Sequence, residues 1–234
     1  MTRLSPRLDV LPTPQRALWP QLAGLPRGFV LYGGTALALR LGHRVSVDFD
    51  FFAHDALDHA ALERALPWLR EGDALQEEPN ARTVLVRAGG GGVKVSLFGN
   101  VTFGRVGEPE LTGDGVVRVA SLLDLAGTKV KALLQRVEAK DYLDVAALLD
   151  AGVPIEHILG AARALFGPGF NPLIAQKTLA YFQGGDLASL PAEVKRKLTA
   201  HATRDVEVQA LAKRSQRLDG ADLTPPAGAG SSTS

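Results

Sequence analysis

Cysteine is absent from the 234-residue chain, which excludes disulfide frameworks, zinc–thiolate and iron–sulfur centres and a thiol nucleophile. No apolar run approaches the roughly 20 residues that a membrane-spanning helix needs. The opening Met1-Thr-Arg-Leu-Ser-Pro-Arg-Leu-Asp9 has no apolar core of the kind a signal peptide carries. Charge of one sign is lacking too: 26 Lys and Arg against 25 Asp and Glu leave a net charge of +1. A basic surface for nucleic acid must therefore be local rather than global. The five histidines, at positions 43, 54, 59, 157 and 201, are scattered, and no Gly-x-Ser-x-Gly elbow supports a serine hydrolase. What is present is globular, with 46% hydrophobic residues, too many for a disordered chain. A soluble cytoplasmic protein without a membrane partner is expected.

The first half reads as mixed α and β. A helical stretch near 14–24 precedes the apolar Phe29-Val-Leu-Tyr32, expected as a strand ending at Gly33-Gly34. Thr35 is placed to cap a helix over 36–41. Val45 to Phe52 alternates with period two, so Val45, Val47, Phe49 and Phe51 share one face and Ser46, Asp48 and Asp50 the other. An amphipathic helix over 57–69, starting at Asp55 or Asp58, is followed by strands near 74–77, 83–88, 93–98 and 116–119. Gly89-Gly-Gly-Gly92 lacks the Gly-Lys-Ser/Thr of a phosphate-binding loop and reads as a hairpin turn. From Ser121 the spacing is helical, over 121–137, 140–151, 155–166, 172–181 and 191–214. Residues 218–234, rich in Gly, Ala, Ser, Thr and Pro, read as a disordered tail.

The chemistry concentrates at Gly33-Gly34-Thr35 and, thirteen residues on, at Asp48-Phe49-Asp50. Carboxylates at i and i+2 of a strand project side by side and repel, an arrangement that a cation between them relieves. Such oxygen donors suit Mg²⁺, which takes one or two protein carboxylates together with water and substrate phosphates. A glycine turn that opens a helix aims backbone N–H groups and the helix dipole at an anion. An anion cradle beside a metal-binding pair is the minimal apparatus for nucleotidyl transfer.

Leu31-Tyr-Gly-Gly-Thr-Ala-Leu-Ala-Leu39 with Gly42-His-Arg-Val-Ser-Val-Asp-Phe-Asp-Phe-Phe52 resembles the opening motif of AbiEii/AbiGii-type nucleotidyltransferase toxins. These are relatives of the MenT toxins within the polymerase β-like superfamily. Ser121-Leu-Leu-Asp-Leu-Ala-Gly-Thr-Lys-Val-Lys-Ala-Leu-Leu-Gln-Arg136 and Lys140-Asp-Tyr-Leu-Asp-Val-Ala-Ala-Leu-Leu149 match further blocks in family order. The resemblance implies an α+β fold: a small mixed sheet with flanking helices over 1–120, then a helical domain over 121–217 that completes the active-site cleft. It implies that Gly33, Gly34 and Thr35 hold nucleotide phosphate, with Arg44 and Ser46 at the polar positions before the carboxylates. Asp48 and Asp50 would bind the metal. Lys129 would contact the triphosphate, and Lys140, Asp141 and Asp144 would lie close to the same cleft.

Lys129 and Arg136, seven apart on the helix expected over 121–137, share a face and could offer two cations to a polyphosphate, and Lys140 and Asp144 have the spacing of an i, i+4 ion pair. On Val93-Lys-Val-Ser-Leu-Phe98, Ser96 stands where polymerase β-like enzymes commonly carry a third carboxylate. Either Asp141 or Asp144 supplies that acid, or the protein binds nucleotide without efficient turnover. The expected activity is Mg²⁺-dependent transfer of a nucleoside monophosphate from an NTP to an acceptor hydroxyl, using one or two ions. The role implied is the toxin of a type IV toxin–antitoxin pair, with tRNA as a possible acceptor and a winged-helix antitoxin as a possible partner. The alternative is an impaired nucleotide-binding or interaction module on the same scaffold. Seven Lys and Arg against three acids in 191–217 offer a candidate RNA surface, or simply a solvated face.

Overall fold

Along the computed structural model, which describes residues 3–220, an α/β portion precedes a run of helices. The first portion comprises β1 (Arg3–Leu4), α1 (Thr13–Leu18), β2 (Val30–Tyr32), α2 (Gly33–Leu41), β3 (Asp48–Phe52), α3 (His59–Ala65) and α4 (Trp68–Glu71). It continues through β4 (Asp73–Glu78), β5 (Ala81–Ala88), β6 (Gly91–Phe98), β7 (Glu110–Thr112) and β8 (Arg118–Val119). Then come α5 (Leu122–Ala132), α6 (Ala139–Asp150), α7 (Ile155–Phe166), α8 (Pro172–Thr178) and α9 (Ala192–Ala202).

The strands form one eight-stranded sheet in the order β1-β7-β8-β2-β3-β6-β5-β4. Gly89 and Gly90 both have positive φ, 54° and 81°, the backbone that a two-residue hairpin turn demands, and they join β5 to β6 as expected. β3 lies antiparallel to β2 and parallel to β6, so Tyr32 faces Asp50, Asp50 faces Ser96 and Asp48 faces Lys94. Phe49 and Phe51 point to the opposite, buried face and fix this register.

Several boundaries differ from expectation for identifiable reasons. β3 begins only at Asp48, because neither β2 nor β6 pairs with residues before it, and Val45 and Val47 are left 58% and 59% exposed. Thr35 lies inside α2 rather than capping it; its hydroxyl donates to the Asp48 carbonyl and ties the helix to β3. The helix expected over 57–69 is broken at Pro67, whose ring and missing N–H cannot continue α3. Asp58 is its N-cap, accepting from Ala61 N at 2.9 Å. α5 is capped by Ser121 but ends at Ala132, and α9 ends at Ala202 rather than near 214.

Residues after α9 return across the molecule: Gln209 N donates to the Glu156 carbonyl, and Arg105 and Ser215 form a β-bridge. The tail expected from residue 218 begins later than that, since Leu218 and Asp219 are buried, at 1% and 8% exposure. Residues 221–234 of the expected tail lie outside the described residues. One continuous apolar core includes Phe49 and Val95 of the sheet, Val130, Leu148 and Ile158 of the helices, and Leu218.

Candidate active site

The turn from β2 into α2 brings backbone against side chains at two adjacent glycines. Gly33 has φ +73°, and a Cβ there would stand 2.7 Å from Asp50 Oδ2. A Cβ on Gly34 would stand 2.5 Å from an Arg44 guanidinium nitrogen and 2.8 Å from Ser46 Oγ. Only glycine lets these polar groups approach the N-terminus of α2 so closely. Gly33, Gly34, Arg44, Ser46 and Asp50 are therefore one cluster, and Thr35 fastens Asp48 to it through the backbone.

Asp48 and Asp50 lie on one face of β3, with Lys94 Nζ 3.0 Å from Asp48 Oδ2. Burial and then the charge of Asp48 raise the pKa of Asp50. Lys94, Lys129 and a hydrogen bond from Ser96 oppose that rise without cancelling it. An ionised Asp50 is thus an electrostatically unfavourable group that a cation would relieve. Two adjacent carboxylates beside an anion-directed helix end are a donor set that fits Mg²⁺ carried in with a polyphosphate. Among the described residues no group of three or more His, Asp or Glu side chains is arranged around a metal position, so substrate and water would have to complete the shell.

A second layer of charge comes from the helices. Asp144 is fully buried and accepts a two-pronged ion pair from Arg44, at 2.6 and 2.8 Å, together with His43 Nε2 at 2.7 Å and Lys129 Nζ at 2.7 Å. Asp141 is fully buried as well and takes Lys129 at 3.1 Å and Arg136 at 2.6 and 3.0 Å. Burial pushes both carboxyls up. For Asp144, hydrogen bonds from His43 and Arg44 and the charges of Lys129 and Arg44 outweigh it and hold the pKa well below the usual range. For Asp141 the Arg136 hydrogen bond and the Lys129 charge do the same. Asp141 and Asp144 are thereby committed to holding three cations, whose charges extend to the cluster at the glycine turn. Lys129 acts on Asp50, Asp50 acts on Arg136, and Arg44 reaches Gly34.

Lys140 is not part of this assembly. It pairs with Glu138 at 2.6 Å, so the i, i+4 pair with Asp144 does not form. Lys129 and Arg136 meet at Asp141 although α5 ends between them, so helical spacing is not what unites them. Two residues of the cluster, Lys94 and His43, are missed by sequence reasoning. Lys94 follows only from the β3–β6 register, whereas the position of His43 directly before Arg44 is a signal that could have found it. Ser96 is buried, within hydrogen-bond range of Thr83 Oγ1, and supports Asp50 instead of supplying an acid.

The basic segment is largely occupied with its own protein. Lys197 pairs with Asp150, Arg214 with Glu108, and Arg217 with Asp55 and Asp219. Lys195 and Lys213 donate to the carbonyls of Ala188 and Leu165.

Comparison with known proteins identifies the family. Residues 16–214 match the family model described as the AbiEii nucleotidyl transferase toxin of type IV toxin–antitoxin systems. An uncharacterised protein of Aquifex aeolicus (strain VF5) is 32% identical over 124 residues, covering 52% of this chain and 58% of that protein. The chain thus spans little more than half the length of that curated relative. The solved structure of MenT4, a nucleotidyltransferase toxin of Mycobacterium tuberculosis H37Rv, is similar in fold, with TM-score 0.50 and 16% identity. That alignment covers 88% of this chain and 85% of MenT4. A nucleotidyltransferase structure from H. pylori aligns with TM-score 0.46 and 20% identity over 83% of this chain and 82% of its own. The chain belongs to the AbiEii nucleotidyltransferase toxin family.

Proposed function

From that membership we propose that the protein transfers a nucleoside monophosphate from an NTP to an acceptor hydroxyl. In this reaction the acceptor oxygen forms a bond to the α-phosphorus, the bond from that phosphorus to the pyrophosphate oxygen breaks, pyrophosphate leaves, and the hydroxyl proton passes to solvent water. The observation that carries the reading is the placing of the Asp50 carboxylate against Gly33, at the start of α2, with Asp48 beside it on the same face of β3.

Asp48 and Asp50 would hold Mg²⁺, which when bound neutralises triphosphate charge and orients it. Gly33, Gly34 and Thr35 would seat phosphate at the helix N-terminus. Lys129, Arg136 and Arg44, already fixed by Asp141 and Asp144, would oppose the charge that gathers on departing pyrophosphate. Fixed cations suit this chemistry, since phosphoryl transfer is promoted mainly by positioning and electrostatics. Membership also supports the role of toxin with a cognate antitoxin, a winged-helix regulator being the type to test first. The tRNA acceptor end is the acceptor to test first.

Incubating the full chain with labelled NTPs, Mg²⁺ and total tRNA checks the reading. Label should pass to RNA with the unaltered chain and fall by at least about a hundredfold in Asp48→Ala and Asp50→Ala. Transfer that survives either substitution overturns this site. Ser96 at the position of a third acid favours one second reading, a nucleotide-binding module with little turnover. Calorimetric NTP binding without product from any acceptor is the outcome that selects it.

A further inference from the structure

The β3–β6 register sets two side chains of β6 opposite the carboxylate pair, Lys94 against Asp48 and Ser96 against Asp50. Lys94 Nζ is 3.0 Å from Asp48 Oδ2, and its charge also acts on Asp50. Both members of the pair are partly open, at 42% and 35% exposure, so burial locks neither side chain in place. The other cations near the carboxylates are committed: Lys129 is held by Asp141 and Asp144, and Arg136 by Asp141 and Glu138. Lys94 is held by a carboxylate that is itself a proposed ligand.

We propose that Lys94 is a nucleotide-site residue whose fixed positive charge beside Asp48 stands in for a second metal ion, so that the site takes a single divalent cation with the triphosphate. This deepens the nucleotidyltransferase reading and rests on it. Two observations converge. No other His, Asp or Glu among the described residues joins Asp48 and Asp50 to complete a second cation position. The next position on the same face of β6 is Ser96, which lies opposite Asp50 in the register, is buried within hydrogen-bond range of Thr83, and carries no carboxylate. An ammonium has three donors and no acceptor, so once Asp48 turns to a divalent ion the charged acceptors that a bound nucleotide would bring to Lys94 are phosphate oxygens. The lysine is thus kept in place by the carboxylate before nucleotide arrives and by nucleotide afterwards.

The test uses the full chain and a non-hydrolysable NTP analogue, α,β-methylene ATP or the corresponding analogue of whichever base binds. Manganese stoichiometry is read by electron paramagnetic resonance, and analogue affinity by calorimetry. One Mn²⁺ per chain is expected with saturating analogue. Lys94→Ala should weaken analogue binding at least tenfold, and Lys94→Arg should recover part of the loss. Lys94→Gln is measured alongside, and melting temperature verifies that each variant folds. In the double variant Lys94→Ala/Ser96→Asp a second Mn²⁺ should bind. Two Mn²⁺ per unaltered chain, or wild-type analogue affinity in both Lys94→Ala and Lys94→Gln, overturns the proposal. If Asp48→Ala loses the analogue while the Lys94 variants keep it, this inference alone fails. If the unaltered chain binds no nucleotide analogue at all, the nucleotidyltransferase reading fails first.

Discussion

Asp50, partly buried, and Asp144, fully buried, are linked through Arg44 at the glycine turn, yet their environments push them in opposite directions. For Asp50, burial and the Asp48 charge place the folded pKa above its unfolded value. Between the two values the folded state binds the extra proton, so this group's contribution is most favourable below the unfolded pKa and is lost as pH rises through the folded one. Asp50→Asn removes that penalty, and the melting temperature at pH 7–8 should rise, by about 0.5–2 kcal/mol in stability, while activity is lost. Saturating Mg²⁺ with an NTP analogue should stabilise the unaltered chain and not the variant. A variant no more stable than its parent, or equally stabilised by Mg²⁺, contradicts the assignment. For Asp144 the folded pKa is depressed, so its contribution is present above the unfolded pKa and is lost as pH falls through the folded one. Asp144→Asn leaves Arg44 and Lys129 short of a counter-charge, with the Lys129 side chain only 6% exposed. A loss of about 3–5 kcal/mol at neutral pH is expected. Acid melts should show a shallower decline for the variant, and parallel acid profiles would refute this account.

At the level of elements, a substitution in the glycine turn can separate what holds the fold from the proposed seat of the ligand. Gly34 is not among the residues of positive φ, so alanine fits its backbone, and the obstacle is the approach of Arg44 and Ser46. Gly34→Ala should therefore spare the backbone of the turn yet displace those groups, lowering NTP-analogue affinity about tenfold or more, and it should cost less stability than Asp144→Asn because His43 and Lys129 still hold Asp144. Equal affinity would mean that the turn does not seat phosphate. The same elements indicate what a one-dimensional reading can reach. The Gly89-Gly90 hairpin, the start of helical spacing at Ser121, α7 and the shared face of Phe49 and Phe51 were legible, because each depends on local spacing or turn chemistry. The Gly-Gly turn and the aspartate pair were legible as candidates for the same reason. β1 and β7 were not, since strands of two and three residues exist only through partners remote in the chain. Lys94 was hidden likewise, its role depending on which β6 residue comes to lie opposite Asp48. The break at Pro67 could have been read, and the amphipathic pattern on either side obscured it.

Across the whole molecule, β3 carries Asp48 and Asp50, α6 carries the two buried aspartates, and the cations between them come from α5, β6 and the loops before β3 and after α5. Arg44 bound to Asp144 joins the loop before β3 to α6, and Lys129 bound to both buried aspartates joins α5 to α6. A return segment closes the same arrangement from the far side. After α9 it bonds to α7 at Glu156 and bridges Arg105, then Arg217 pairs with Asp55 and Asp219 before Leu218 enters the common core. The exposed ion pairs there contribute little by themselves, since surface pairs are worth about 0–1 kcal/mol. Burial of Leu218 stabilises the segment more, because a buried Leu→Ala change typically costs about 2–5 kcal/mol. For a chain of this size each 1 kcal/mol moves the melting temperature by about 2–4 °C. Leu218→Ala should accordingly lower melting by about 4–20 °C, while Arg217→Ala should move it by only a few degrees. If the segment clasps sheet to helices, Leu218→Ala should also weaken NTP-analogue binding when measured below its own melting transition. A destabilised variant that binds the analogue with unchanged affinity would show that the return segment supports the core without positioning the site.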